Sequence, residues 1–165
     1  MIVVGIDQSM TSTGVCFLDS DDVSLLYAEV IGTSPNKEDV LDKFHRFVDI
    51  STRLVEVIKK NPPGVIVIED LAFGSFGDAT RNLAALQGVL VCDILKTFDG
   101  CKVVLVPPTA LKKFATGSGK AKKKDMLEAV PTVFREFFDS VKVKDGKYDI
   151  VDAYHLAKWG IENDC

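Results

Sequence analysis

The sequence predicts an α/β protein: one five-stranded mixed sheet, three antiparallel strands followed by parallel ones, with helices on both faces. Three observations carry this. Strand-like and helix-like stretches follow one another in the order βββαβαβ(α)α. Two of the strands, IVVGID at 2–7 and VIVIED at 65–70, are apolar almost throughout, as strands in the middle of a sheet are. No repeat or linker divides the 165 residues, so one domain is expected.

Taken in order, residues 2–7 form the first strand. GVCFLD (14–19) and VSLLYAEVI (23–31) read as two more, joined by the acidic turn Ser20-Asp21-Asp22 into an antiparallel meander. A helix is expected over 38–60, with Val40, Phe44, Phe47, Val48, Leu54, Val55 and Ile58 on its apolar face and Asn61-Pro62-Pro63-Gly64 ending it. Residues 65–70 are the fourth strand. Residues 78–95 read as a helix with a small-residue stretch at Ala84, Ala85 and Gly88. KVVLVPP (102–108) is a fifth strand stopped by two prolines, followed by one helical turn over 109–114. TGSGKAKKK is loop by composition, 124–138 is helical with a break at Pro131, and 148–161 is the last helix.

The composition, 47% hydrophobic, is enough for a substantial core, and no apolar run is long enough to span a bilayer. The N-terminus enters a strand directly, without the basic-then-apolar layout of a leader, so a soluble protein of a reducing cytoplasm is expected. Cys16, Cys92, Cys101 and Cys165 form no C-x-x-C pair and read as small core residues. The net charge of −4 argues against a nucleic-acid partner, but its distribution argues for one. Lys102, Lys112, Lys113, Lys120, Lys122, Lys123 and Lys124 fall within 100–124 with no acid among them. Such a patch on an acidic body is either a solvated loop or the footprint of a polyanion.

Four acids stand apart. Asp7 and Glu69 end apolar strands, and Asp149 and Asp152 open the last helix three residues apart, on one face. Parallel neighbouring strands present their carboxyl ends at one edge, where ligands bind. Four converging carboxylates repel one another, and a hard divalent cation, Mg²⁺ or Mn²⁺, removes the conflict. Two such ions are the usual device for attack of water on a phosphodiester. The plain alternatives are acids at a helix N-terminus and at strand ends meeting solvent.

In these residues the chain resembles RuvC-type Holliday junction resolvases, a branch of the RNase H-like (retroviral-integrase-like) nucleases. GIDQSMTSTG resembles the family's first strand and turn, and IVIED its second acidic motif. PPTALKKFATGSGKAKKKDM resembles a proline-led stretch with a lysine on either side of a G-x-G, and DIVDAYHLA resembles the D-x-x-D-A ending. The resemblance implies an RNase H-like fold, with Asp7, Glu69, Asp149 and Asp152 as catalytic metal-binding acids and Mg²⁺ as cofactor, two ions per site. It implies Lys112 and Lys123 near the scissile phosphate, with Lys122 and Lys124 competing for the second position. It implies a homodimer that cuts four-way junctions by paired nicks leaving 5′-phosphates, in a bacterial cell or a phage-infected one.

Lys113, Lys120, Lys122 and Lys124 are then expected on backbone phosphates. Phe73 and Phe76, interspersed with Gly74 and Gly77, are candidates for stacking on bases. The family's aromatic three residues after the second acid is here Ala72, and its basic residues in that loop are missing. His155, one turn after Asp152, is either an auxiliary that orients water or phosphate, or an ordinary half-buried histidine. Rival readings are an RNase H-like nuclease for hybrids or flaps and a nucleotide-dependent phosphotransferase of the actin or sugar-kinase type. The second needs two lobes to enclose its nucleotide, which 165 residues do not supply.

Overall fold

The computed structural model describes residues 1–72, 74 and 76–163. Strands β1 (Ile2–Asp7), β2 (Ser12–Asp19), β3 (Leu25–Gly32), β4 (Val65–Glu69) and β5 (Lys102–Val106) form one sheet in the order β3-β2-β1-β4-β5. β1 runs antiparallel to β2, and β2 to β3, whereas β1, β4 and β5 are parallel. The expected mixed sheet is present, with its parallel half starting at the apolar first strand.

The pleat sends alternate residues to opposite faces, and each face has its own core. Val4, Ile6, Val15, Phe17, Ile66 and Ile68 pack against helices α1 (Asp42–Lys59) and α2 (Asp78–Thr97). Val3, Cys16, Leu18, Val65 and Val67 pack against α6 (Lys147–Glu162), with contributions from α3 (Pro108–Thr116), α4 (Lys123–Glu128) and α5 (Thr132–Ser140). Among the described residues, no helix is long and apolar enough to cross a membrane.

Some expectations need correction. α1 starts four residues later than expected, so Val40 precedes it and is almost fully exposed. Phe44 and Val48 lie on the helix's exposed shoulder, and the buried stripe is Phe47, Ile50, Ser51, Leu54, Val55 and Ile58. The start is held by Arg46, whose guanidinium donates to Thr33 Oγ1 (2.9 Å) and to the Met10 carbonyl. The loop expected after 114 shrinks to 117–122, because α3 runs to Thr116 and Gly117 ends it at a left-handed φ of 82°. Cys16 is buried and Cys101 half-buried, but Cys92 is exposed on α2; Cys165 lies outside the described residues.

Two glycines set how closely α6 approaches the sheet. A Cβ on Gly5 of β1 would stand 1.9 Å from the Ala153 carbonyl oxygen, and one on Gly14 of β2 would stand 2.2 Å from that of Asp149. Both contacts are to backbone, so any larger residue forces the helix away. The flush packing buries Ile150, Val151 and Leu156, each contributing about 1.5–3 kcal/mol. It also lays the first turns of α6 across the ends of β1 and β2.

Candidate active site

The parallel register of β1 and β4 ends at Ile6 opposite Ile68. Asp7 and Glu69 are the next and last residues of each strand, so they stand side by side at the sheet's carboxyl edge. α6 brings Asp149 and Asp152 over the same edge. All four acids line one cleft of about 320 Å³ together with Ser9, Pro108, Lys112, Lys123 and Met126, room for a phosphodiester and its hydration.

The acids are held at a cost. Burial is the main reason that Asp7 is pushed well above the usual carboxylate range, and the charges of Glu69, Asp152 and Asp149 add to it. Glu69 is raised to about 7, first by burial and then by Asp152, with Lys112 and Lys123 acting against the shift. Asp152 is raised to about 6, again mainly by burial. The Ser12 hydroxyl donates to Asp149 Oδ2, and Lys123 Nζ stands 4.0 Å from Asp149 Oδ1.

Among the described residues, no group of three or more His, Cys, Asp or Glu side chains stands gathered as metal ligands. The four carboxylates share one cleft. Their chemistry nonetheless fits a hard divalent cation: the acidic donors are all oxygens, with no thiol or imidazole among the cleft residues.

Lys112 and Lys123 enter from two different helices. Pro108 occupies the first turn of α3, where its missing N–H costs nothing, and Lys112 follows on the next turn. α4 begins at Lys123 because Asp125 accepts a hydrogen bond from the Lys122 amide (2.8 Å). This selects Lys123 of the three adjacent lysines as the one in the cleft. Lys113, Lys120, Lys122 and Lys124 are exposed and line no part of it. Phe76 is 93% exposed, so it has no local packing role; Phe73 lies outside the described residues.

His155 is buried and does not line the cleft. Burial lowers it to about 4, so the ring is neutral and Nε2 donates to the Met126 carbonyl (2.8 Å). It ties α6 to α4, one turn from Lys123, which is the ordinary structural use of a histidine. Sequence reasoning missed Ser12, Gln8 and Gln87. Gln8 and Gln87 both donate Nε2 to the Glu69 carbonyl, at 3.0 and 3.3 Å, and so fix the main chain that carries the second acid. Gln8 had a signal, an amide directly after the strand-end acid; Gln87 lies in a helix with nothing to mark it.

On the far side of α2, Ala84, Ala85 and Gly88 are exposed, and a Cβ on Gly88 would meet nothing within 4 Å. These small residues therefore do not pack onto the sheet.

A family model described as crossover junction endodeoxyribonuclease RuvC matches residues 3–158. The RuvC of Prochlorococcus marinus is 28% identical over 164 residues, 98% of each chain. That of Koribacter versatilis is 30% identical over 124 residues, 74% of this chain and 72% of its own. The structure of Thermus thermophilus RuvC in complex with a Holliday junction substrate superposes with a TM-score of 0.72 at 23% identity, covering 95% of this chain and 90% of that one. At that identity the likeness concerns the fold.

Proposed function

The chain belongs to the RuvC family of crossover junction endodeoxyribonucleases, and on that premise we propose that it resolves four-way DNA junctions by metal-dependent phosphodiester hydrolysis. The observation that carries this reading is the convergence of Asp7, Glu69, Asp149 and Asp152 from three elements on one cleft flanked by Lys112 and Lys123. Asp7, Glu69, Asp149 and Asp152 would hold Mg²⁺, with Mn²⁺ as a substitute and two ions per site. Bound there, such ions supply an activated water and stabilise charge on the leaving oxygen of an in-line displacement.

This chain's own residues do the rest. Gln8 and Gln87 hold the Glu69 main chain, and Ser12 orients the Asp149 carboxylate. Lys112 and Lys123 place positive charge beside the phosphate as negative charge builds on it. The P–O3′ bond breaks as the P–O bond to water forms, leaving a 5′-phosphate and a 3′-hydroxyl. Lys113, Lys120, Lys122 and Lys124 grip backbone phosphates outside the cleft, and Phe76 is placed to stack on a base. A C₂ homodimer supplies the two matched incisions, with the exposed Ala84, Ala85 and Gly88 of α2 as its contact surface. The work is done in the cytoplasm.

The test is incubation of the protein and its Asp7→Asn variant with Mg²⁺ and, separately, a labelled four-way junction, a flap, a duplex and an RNA–DNA hybrid. Wild-type protein is expected to nick the junction symmetrically, while Asp7→Asn binds it without cutting. Preference for the hybrid or the flap, or cleavage by Asp7→Asn at near the wild-type rate, overturns the reading.

A further inference from the structure

The main chain that carries Lys123 is fixed, but its ammonium is not held by its own helix. Met126 of α4 is buried, and its carbonyl accepts from His155 Nε2 (2.8 Å). The Lys123 side chain is nevertheless 66% exposed. The positions three and four residues on, where a helical lysine finds an acid, are Met126 and Leu127. Lys123 also opens α4, at the end of a helix where positive charge is disfavoured. Two consecutive residues of α6 meet it instead. Its Nζ stands 4.0 Å from Asp149 Oδ1 and lies over the Tyr148 ring, 5.7 Å from the ring centre.

Both partners are themselves anchored. Asp149 accepts from the Ser12 hydroxyl of β2. On the other side of Tyr148, the Lys147 ammonium, on a side chain only 13% exposed, pairs with Asp139 of α5 at 3.2 Å. Gly146, at a left-handed φ of 90°, packs so closely on β2 and β3 that a Cβ there would stand 2.9 Å from Ser12 Oγ and 2.6 Å from a Val30 methyl. Tyr148 is half-buried in this turn. The two contacts to Lys123 differ in kind. The Asp149 carboxylate is a charge that a divalent cation claims once it binds, and a cation there repels the ammonium. The ring presents the negative face of a quadrupole, which attracts an ammonium and does not ligate a hard metal. Burial raises Asp7, Glu69 and Asp152, and the Lys123 charge acts against that rise in all three, so the ammonium is within reach of the whole cleft.

Resting on the proposed function, we propose that Tyr148 is the positioning residue for Lys123: its ring holds the ammonium beside the scissile phosphate when a metal ion takes Asp149. Asp149 then serves as the Lys123 partner only in the metal-free protein. Tyr148 is not among the residues that line the cleft, so it acts on the rate through Lys123. Without the ring, the exposed Lys123 stem swings into solvent, and the charge that stabilises the transition state leaves the cleft for part of the time.

Ring electronics separate this role from packing. Tyr148 is replaced by leucine, by phenylalanine, and by phenylalanines carrying one, two and three ring fluorines, which keep the shape and progressively weaken the negative face. Single-turnover cleavage of a four-way junction is measured at saturating protein and Mg²⁺, with junction affinity beside it. Tyr148→Phe is expected to retain most of the rate that Tyr148→Leu loses. The logarithm of the rate should fall in step with fluorination, to a loss of about two- to fivefold for the trifluorinated ring, the scale of one exposed cation–π contact, with affinity unchanged. In the Lys123→Ala background Tyr148→Leu should cost no further rate, because both changes remove the same contact. A second readout needs no cleavage. In protein carrying isotope-labelled lysine, the Tyr148 ring current displaces the Lys123 Hε resonances, which are identified by their loss in Lys123→Ala. The displacement is expected to survive Mg²⁺ at concentrations that saturate cleavage, and to be absent from Tyr148→Leu. A rate indifferent to fluorination, or a displacement that Mg²⁺ abolishes, overturns the proposal. Wild type that cuts no four-way junction while the displacement persists would instead overturn the function and leave the Tyr148 contact standing.

Discussion

Replacing Glu69 by glutamine should make the protein more stable at pH 8 while destroying its activity. Burial, then the charge of Asp152, holds the Glu69 carboxyl at about 7 from an ordinary 4.5. The folded protein therefore binds this proton more tightly than the unfolded chain does. The stabilisation is fully present below about pH 4.5 and is lost as the pH rises through about 7. At 1.36 kcal/mol per pK unit the shift corresponds to about 3 kcal/mol. Glu69 opens on the cleft, where water screens part of it, so about 2 kcal/mol is the expected difference. Glutamine has the same shape and no charge at any pH. Urea unfolding followed by the fluorescence of Trp159, the one tryptophan, in EDTA at pH 5, 6, 7 and 8 reads the effect. Variant and wild type should differ least at pH 5 and diverge to about 2 kcal/mol by pH 8. Mg²⁺ should raise the stability of wild type at pH 8 far more than that of the variant. A Glu69→Gln protein no more stable than wild type at pH 8 in EDTA would refute the claim that the acids are held together against their repulsion.

Gly14→Ala places a methyl group 2.2 Å from the Asp149 carbonyl oxygen, so α6 must shift. A loss of about 3 kcal/mol is expected, or roughly 6–12 °C in Tm, with single-turnover cleavage falling even well below the melting range. Each of Lys113→Ala, Lys120→Ala, Lys122→Ala and Lys124→Ala should weaken junction binding and lower the salt slope by about one unit. Lys112→Ala and Lys123→Ala should instead slow cleavage by about 100-fold at saturating protein; uniform behaviour across all six would mean that the lysines only clamp the backbone.

Much of this protein is legible before it folds, because a carboxylate at the end of an apolar strand is costly and seldom incidental. Asp7 and Glu69 announce themselves in that way, and the order of strands around them dictates a mixed sheet with its parallel half at β1 and β4. The i, i+3 spacing of Asp149 and Asp152 places both on one helix face. Local pattern says nothing of where that helix lies. Gly5 and Gly14 decide it by removing the Cβ atoms that would hold α6 off the sheet, a contact made across more than a hundred residues of chain. The same limit explains α1, where Phe44 and Val48 look like core by composition but fall on a half-exposed shoulder. It explains His155, whose position beside Asp152 suggests chemistry although its ring bonds the Met126 carbonyl in the interior. Periodicity and chemistry along the chain determined the fold class and the acids. Only close packing decided which lysine enters the cleft, which amides fix Glu69 and which ring lies beside the Lys123 ammonium, because each of these depends on distances between elements that no local sequence encodes.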